Sequence, residues 1–289
     1  MRPRQWYKNI VVFVPLLFSG NLGSAALWAP ALGCFAAFCL LSSAVYAAND
    51  VLDAERDRLH PRKRNRPVAA GQVSATAASL LALALVAASM AIFVLLGPTT
   101  LLIAVVYLLL QIAYNLALKQ LILWDALSVA AGFVLRALAG TTAIAVPFTE
   151  WLIVCTFLFA LYLAMAKRRH ELVLAQDHPE SLAHRPILGD YTVEFVEQVM
   201  QASATLLLAA YSLYTFFGTD QWMMFTIPFA FYGVFRFSYL VHRRDLGDEA
   251  EMVLRDRATL VNAALWLLVI LAVQRGLPQR LVDLVGQLG

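Results

Sequence analysis

Between Ala48 and Gly71 the chain reads ANDVLDAERDRLHPRKRNRPVAAG, set between two long apolar segments. It carries four carboxylates, Asp50, Asp53, Glu55 and Asp57, with six basic residues overlapping and following them, Arg56, Arg58, Arg62, Lys63, Arg64 and Arg66. Asn49, Asp53 and Asp57 are spaced i, i+4, i+8, and Asp50 sits one turn before Asp53. On a helix this places Asn49, Asp50, Asp53 and Asp57 on one face and turns Glu55 away. Carboxylates lined up at a membrane surface repel one another unless a cation stands between them. The cation this donor set calls for is Mg²⁺, which takes hard oxygen ligands and completes its shell with substrate phosphates. The His60-Pro61 step should end the helix. Arg62, Arg64 and Arg66 then follow as guanidinium forks able to grip the same polyanion from the other side.

A second basic cluster, Lys167-Arg168-Arg169-His170-Glu171, stands just past Tyr162 and opens a polar stretch that later offers Asp177, Arg185, Asp190 and Tyr191. It reads either as the solvated end of a helix or as a second anion clamp, and it has no Asp-x-x-x-Asp spacing. Arg136 lies in the middle of an apolar segment, where a charge is costly and marks a wet cavity or a function. Tyr114, Asn115, Lys119 and Asp125 cluster at the ends of two apolar segments, on the rim of such a cavity. Arg2, Arg4, Trp6 and Lys8 read as an interfacial anchor, from which Lys8 could also reach a phosphate. Arg236 is close enough to a segment end to snorkel. No Ser-His-Asp, Cys-His or phosphate-loop pattern is present, and the five histidines lack metal-ligand spacing.

These groups need a scaffold, and composition says which kind. Apolar residues make up 61% of the 289 residues, charged residues 14%, and the mean hydropathy is +0.70. A soluble domain has roughly 25% charged residues, so an all-α integral membrane protein is the class that fits. Cys34, Cys39 and Cys155 all fall in apolar segments without CxxC spacing and read as small packing residues. No cleavable signal is expected, and nucleic-acid binding has no support beyond a basic surface.

Nine segments are long and apolar enough to be candidate spans: 10–29, 30–48, 74–96, 99–118, 124–146, 151–166, 199–217, 222–240 and 259–273. The first is interrupted by Pro15, Gly20 and Gly23. With the N-terminus inside, 18 of the 22 Lys and Arg residues fall in cytoplasmic segments, two fall outside in the C-terminal tail, and Arg136 and Arg236 lie within spans. That asymmetry predicts an inner-membrane, multi-pass protein with its N-terminus and its chemistry at the cytoplasmic face. The loops on the other side are a few residues long, so residues 1–289 should form a single transmembrane catalytic domain.

Nine spans, an Asn-Asp-x-x-Asp-x-x-x-Asp run closing the second of them, and Arg64-Asn65-Arg66-Pro67 with Gly71 after it resemble the UbiA superfamily of intramembrane prenyltransferases. Its aromatic prenyltransferases carry a second Asp-rich motif where this chain has Lys167-Arg168-Arg169-His170-Glu171. That replacement is similar to the decaprenyl-phosphate phosphoribosyltransferase branch. So are Arg2-Pro3-Arg4-Gln5-Trp6-Tyr7-Lys8-Asn9, the Phe133-to-Arg136 stretch and Arg185 to Tyr191.

The resemblance implies a UbiA-type bundle, Mg²⁺ on Asn49, Asp50, Asp53 and Asp57, and transfer of 5-phosphoribose from phosphoribosyl diphosphate (PRPP) to a polyprenyl (decaprenyl) phosphate. In that branch the product feeds synthesis of cell-wall arabinan, part of arabinogalactan. Asp50, Asp53, Asp57 and Lys167 would then be catalytic. Lys8, Glu55, Arg62, Arg64, Arg66, Tyr114, Lys119, Arg136, Tyr162, Arg168 and Arg185 would bind substrates. One metal-binding motif beside several basic clusters suits three phosphate groups better than two such motifs would. The alternatives are an aromatic prenyltransferase using an isoprenyl diphosphate, or a non-enzymatic transporter. A transporter would place its groups near the midplane, where only Arg136 lies. Membrane lipid is an expected partner, and a homo-oligomer is left open.

Overall fold

The computed structural model describes residues 3–58, 63–147, 149–177, 186–218, 220–243 and 255–287, without the side chains of Arg4, Arg56, Lys63, Gln176, Asp177, Pro186 and Leu281. Arg62 and Arg185, both expected to bind substrate, lie outside the described residues. The described chain is helical: α1 (Val14–Phe18), α2 (Ala25–Leu52), α3 (Ala54–Arg58), α4 (Ala75–Leu96), α5 (Pro98–Leu116), α6 (Trp124–Ala143), α7 (Glu150–Asp177), α8 (Val193–Phe217), α9 (Ile227–Arg243), α10 (Arg257–Gln274) and α11 (Leu277–Gly286). Eight of these, α2 and α4 to α10, are long and apolar enough to cross a membrane, α9 together with the 3-10 turn before it.

The first expected span takes a different form. Pro3–Phe13 is a 3-10 run, followed by the five residues of α1. Gly20 then turns the chain at φ +74° before α2 begins. Proline at the second position of α1 and glycine after it explain why no long helix grows there.

Two helices exceed what a span needs. The 28 residues of α2 and of α7 reach about 42 Å at about 1.5 Å each, against a hydrocarbon core of roughly 30 Å. On α2 the excess carries Asn49 and Asp50, in the last turn. On α7 the polar run Lys167 to Glu171 begins about 26 Å along the helix from Glu150, near the far boundary of such a layer.

The chain divides into two compact units, Met1–Lys119 with Ala131–Phe148, and Gln120–Ala130 with Thr149–Gly289. In the first, α2 packs along α4, and Phe38 meets Phe93 and Tyr107 edge-on at 5.1 and 5.2 Å. Around them Val12, Cys34, Leu41, Ala104 and Ala139 form a buried core, which places Cys34 among packing residues. Ser89 of α4 donates to the carbonyl of Ala37 at 2.8 Å, and small residues at that seam let the two helices approach. The N-terminal 3-10 run lies so close to α6 that a Cβ at Gly140 would stand 2.2 Å from the Val12 carbonyl oxygen. Only glycine fits there.

In the second unit α7 packs along α8 and α9 along α10. The Tyr211 hydroxyl bonds Thr226 at 2.7 Å and accepts from Trp266 at 3.1 Å, tying α8, the 3-10 turn Gln221–Thr226 and α10 together. The charged ends of α7, α8 and α9 meet separately: Arg169 donates to Glu197 at 2.6 Å and to the Val241 carbonyl at 3.3 Å.

Candidate active site

The Asp-rich motif spans the break between α2 and α3. Asp53 leaves the helix at φ −93°, ψ 2°, yet its N–H still bonds the Asn49 carbonyl at 2.9 Å, and the Asp57 N–H bonds the Asp53 carbonyl at 2.8 Å. The i, i+4 pitch therefore continues through the break, and Asn49, Asp53 and Asp57 follow one another along one side, as their spacing predicts. Asp57 is 3% exposed. Glu55 is exposed, in keeping with its position off that face.

Arg66 reaches back onto this face. Its Nη1 lies 2.6 Å from Asp57 Oδ2 and 3.3 Å from Asp50 Oδ1, so one cationic nitrogen stands between two carboxylates. The turn after it explains the reach: Ala70 N–H bonds the Arg66 carbonyl, and Gln72 and Val73 N–H both bond that of Pro67. Gly71 closes the turn at φ +73°, a conformation glycine adopts without strain. Arg58 is exposed and donates to the Ala69 carbonyl at 3.3 Å, bracing the same loop. Arg64 points to solvent.

The donor set is oxygen only, and Asp57 and Asp50 both approach one cationic nitrogen. Among the described residues no three of His, Cys, Asp and Glu already converge as a metal cage. Oxygen donors of this kind fit Mg²⁺, which binds through one or two carboxylates and takes its remaining oxygens from substrate phosphate and water.

Elsewhere in this unit, Arg136 is 8% exposed. Its Nε donates to Asn9 Oδ1 at 2.8 Å, Nη1 to the Gly132 carbonyl at 3.1 Å and Nη2 to the Tyr107 hydroxyl at 2.5 Å. The guanidinium also sits 4.6 Å from the centre of the Tyr107 ring. Asn9 passes the interaction on to α2, donating to Ser42 at 3.4 Å and Cys39 at 3.3 Å, and Trp6 donates to Ser43 at 3.1 Å. Arg136 thus holds the N-terminal run against α2, α5 and α6. Asn9 was not among the candidates. The signal that could have found it is the mid-span arginine itself, which needs polar partners from other apolar segments. Lys8 is half-buried, 5.8 Å over the Tyr7 ring, and Tyr114 and Lys119 are half-buried at the end of α5 and in the 3-10 turn after it.

In the second unit Lys167 is exposed, while its neighbour Arg168 is 3% exposed. Arg168 Nε donates to Asp125 Oδ2 and Nη1 to Glu171 Oε2, both at 2.6 Å. Asp125 is fully buried and also accepts from the Tyr191 hydroxyl at 2.7 Å. That hydroxyl in turn accepts the Leu123 N–H at 2.6 Å, where Leu123 holds an unusual φ of +65°. Burial first, and then the hydrogen bond to Asp125, pushes the Tyr191 hydroxyl up to about 12. The geometry commits Arg168 to two carboxylates within the fold. Tyr162 is likewise buried, and its hydroxyl donates to the Val234 carbonyl at 3.1 Å. Arg236, read as a snorkelling residue, forms a two-pronged pair with Asp256 at 3.0 and 2.8 Å. Asp256 also caps α10 through Thr259, and these bonds, that of Arg236 foremost, hold its carboxyl below the usual range.

Residues 10–268 match the family model described as the UbiA prenyltransferase family. The chain is 33% identical over 275 residues to a decaprenyl-phosphate phosphoribosyltransferase of Mycobacterium tuberculosis, covering 92% of this chain and 90% of that one. It is 32% identical over 282 residues to the protein of that name from Corynebacterium glutamicum, covering 93% and 84%. Among solved structures, a UbiA homologue from Archaeoglobus fulgidus bound to GPP and Mg²⁺ is similar with a TM-score of 0.72 at 16% identity, covering 95% of this chain and 97% of that one.

Proposed function

The chain belongs to the UbiA prenyltransferase family, and on that premise we propose that it transfers 5-phosphoribose from PRPP to a polyprenyl phosphate such as decaprenyl phosphate, releasing diphosphate. The observation that carries this reading is the one-third identity, over nine-tenths of the length, to decaprenyl-phosphate phosphoribosyltransferases. Where aromatic prenyltransferases of the family place a second acidic motif, this chain has Lys167 to Glu171. At 16% identity the GPP-bound neighbour speaks for the fold and not for an isoprenyl diphosphate as substrate.

The reaction joins an acceptor phosphate oxygen to C1 of the ribose as the bond from C1 to the diphosphate oxygen breaks. The acceptor is already ionised, so no strong base is needed, and the protein's work is positioning and charge. Asn49, Asp50, Asp53 and Asp57 would hold Mg²⁺, which when bound supplies positive charge against the leaving diphosphate. Arg66, Arg64 and Arg62 grip the same diphosphate, with Glu55 assisting from the neighbouring turn. Lys167, exposed on the side of α7, takes a donor phosphate. Lys8 and Lys119 serve donor or acceptor phosphates, and Tyr114 binds substrate with them. Arg185 completes the expected set. Arg136, Arg168 and Tyr162 act through the groups they bond, as positioning residues.

Residues 1–289 serve as one catalytic domain, in the inner membrane with its N-terminus and active site facing the cytoplasm. The location of 18 of the 22 basic residues supports that orientation. The test is direct: purified protein given labelled PRPP, polyprenyl phosphate and Mg²⁺ should yield a lipid-linked phosphoribose. Label that stays water-soluble, with turnover of an isoprenyl diphosphate instead, would replace this reading with an aromatic prenyltransferase.

A further inference from the structure

The last ten-residue helix, α11, has no part in the site. It begins at Leu277, three residues after α10 ends at Gln274, and Gly276 makes the turn between them at φ +66°. At about 100° per residue, Leu284, Leu277, Val285 and Val282 follow one another round an arc of about 160°, with Val282 at its border. Gln279, Arg280 and Asp283 occupy the other side. The apolar side chains are left uncovered: Leu277 is 44% exposed, Val282 50%, Leu284 56% and Val285 70%. On the polar side Gln279 Oε1 accepts the Trp222 indole N–H at 3.3 Å, and Trp222 stacks on Phe225 at 5.7 Å.

We propose that α11 is an interfacial anchor. It lies in the headgroup layer at the end of the second unit opposite Arg169, Glu197 and Asp256, with its leucine–valine face in the lipid of that leaflet. Ten residues extend about 15 Å, too short to cross a core of roughly 30 Å. The helix starts within one turn of the end of a span, so its first residues stand at the membrane boundary. An apolar arc backed by mixed charges is the pattern of a helix lying in the plane of the interface. Trp222, bonded to its polar side and stacked on Phe225, is the aromatic residue favoured at that depth. A second copy of the chain is a poorer occupant: four aliphatic side chains offer far less than the roughly 800 Å² per partner of a stable interface.

The test uses the full chain with Cys34, Cys39 and Cys155 replaced by Ala, and single cysteines placed in turn at Leu277, Arg280, Asp283, Leu284 and Val285. Each is spin-labelled and reconstituted in vesicles of phosphatidylethanolamine and phosphatidylglycerol. Collisions with oxygen, which concentrates in lipid, are compared with collisions with a water-soluble nickel chelate. The labels at Leu277, Leu284 and Val285 should favour oxygen severalfold over those at Arg280 and Asp283. Access of the chelate to all five would overturn the proposal by placing the helix in water. Shielding of the apolar three from both reagents, with spin–spin broadening, would overturn it in favour of a second copy. Each replaced apolar residue is largely uncovered, and any labelled variant whose melting temperature falls is replaced by one at Val282, on the border of the same arc.

Discussion

At the scale of single residues, Asp57 and Arg66 form the most informative pair. Arg66 stands between Asp57 and Asp50, where on the proposed mechanism a metal-bound diphosphate must also draw on the carboxylates. Asp57→Asn keeps the size of the side chain and removes the charge. It should lower kcat by about a hundredfold or more, the scale of losing one preorganised charged group, while steady-state binding of the lipid acceptor stays near normal. Arg66→Gln should raise the KM for PRPP and shift the Mg²⁺ dependence, because the same substitution removes a phosphate grip and a cationic partner of two carboxylates. An unchanged Mg²⁺ requirement in both variants would detach this motif from the metal.

Asp256 offers a prediction in pH. Its carboxyl is held below the usual range by Arg236 and Thr259, so folding lowers its pKa. The stability it contributes is present above about pH 4, the ordinary carboxylate value, and is lost as pH falls from there through the lower folded value. Melting curves from pH 6 downward should show an acid-side loss of stability that Asp256→Asn lacks in part.

Much at this scale could be read without coordinates. The i, i+4, i+8 spacing already placed Asn49, Asp53 and Asp57 together and Glu55 apart, because helical pitch is a local property. The roles of Arg168, Tyr162 and Arg136 were hidden, because their partners are 43, 72 and 127 residues away in the chain. A charge in an apolar segment announces a need for partners and does not name them.

At the scale of elements, the structure makes two joints testable. Gly140 faces the Val12 carbonyl with no room for a methyl group. Gly140→Ala should therefore displace the N-terminal run and cost about 1 to 3 kcal/mol, seen as a lower melting temperature and faster proteolysis before Ala25. The second joint is the Asp125–Arg168–Tyr191 network. Asp125→Ala would leave Arg168 buried with Glu171 as its remaining charged partner of those seen and should cost about 3 to 5 kcal/mol, the scale for a broken buried pair. Tyr191→Phe removes one donor and one acceptor and should cost about 1 to 3 kcal/mol. Tyr191 keeps its proton until about pH 12, so this difference should hold throughout the neutral range and shrink only as pH rises past 10. The length of apolar segments located the long helices, since about 20 mostly apolar residues leave little choice. It misjudged the first segment because Pro15 and Gly20 weigh more on local geometry than on mean hydropathy. It also missed α11, which is too short and too polar on one side to register as a span.

At the scale of the whole molecule, fold and chemistry answer to different evidence. Eight span-length helices and the likeness to solved UbiA homologues establish a multi-pass helical protein. The substrate is a matter of which charges stand where, and here the absence of a second Asp-x-x-x-Asp and the one-third identity to phosphoribosyltransferases point the same way. The most direct measurement supplies purified protein in lipid with radiolabelled PRPP and decaprenyl phosphate, with and without Mg²⁺, and follows label into the organic phase. The proposed function predicts Mg²⁺-dependent transfer, abolished by EDTA and reduced about a hundredfold or more in Asp57→Asn. Organic-phase label that forms equally well without Mg²⁺, or none at all while geranyl diphosphate is consumed, would contradict it.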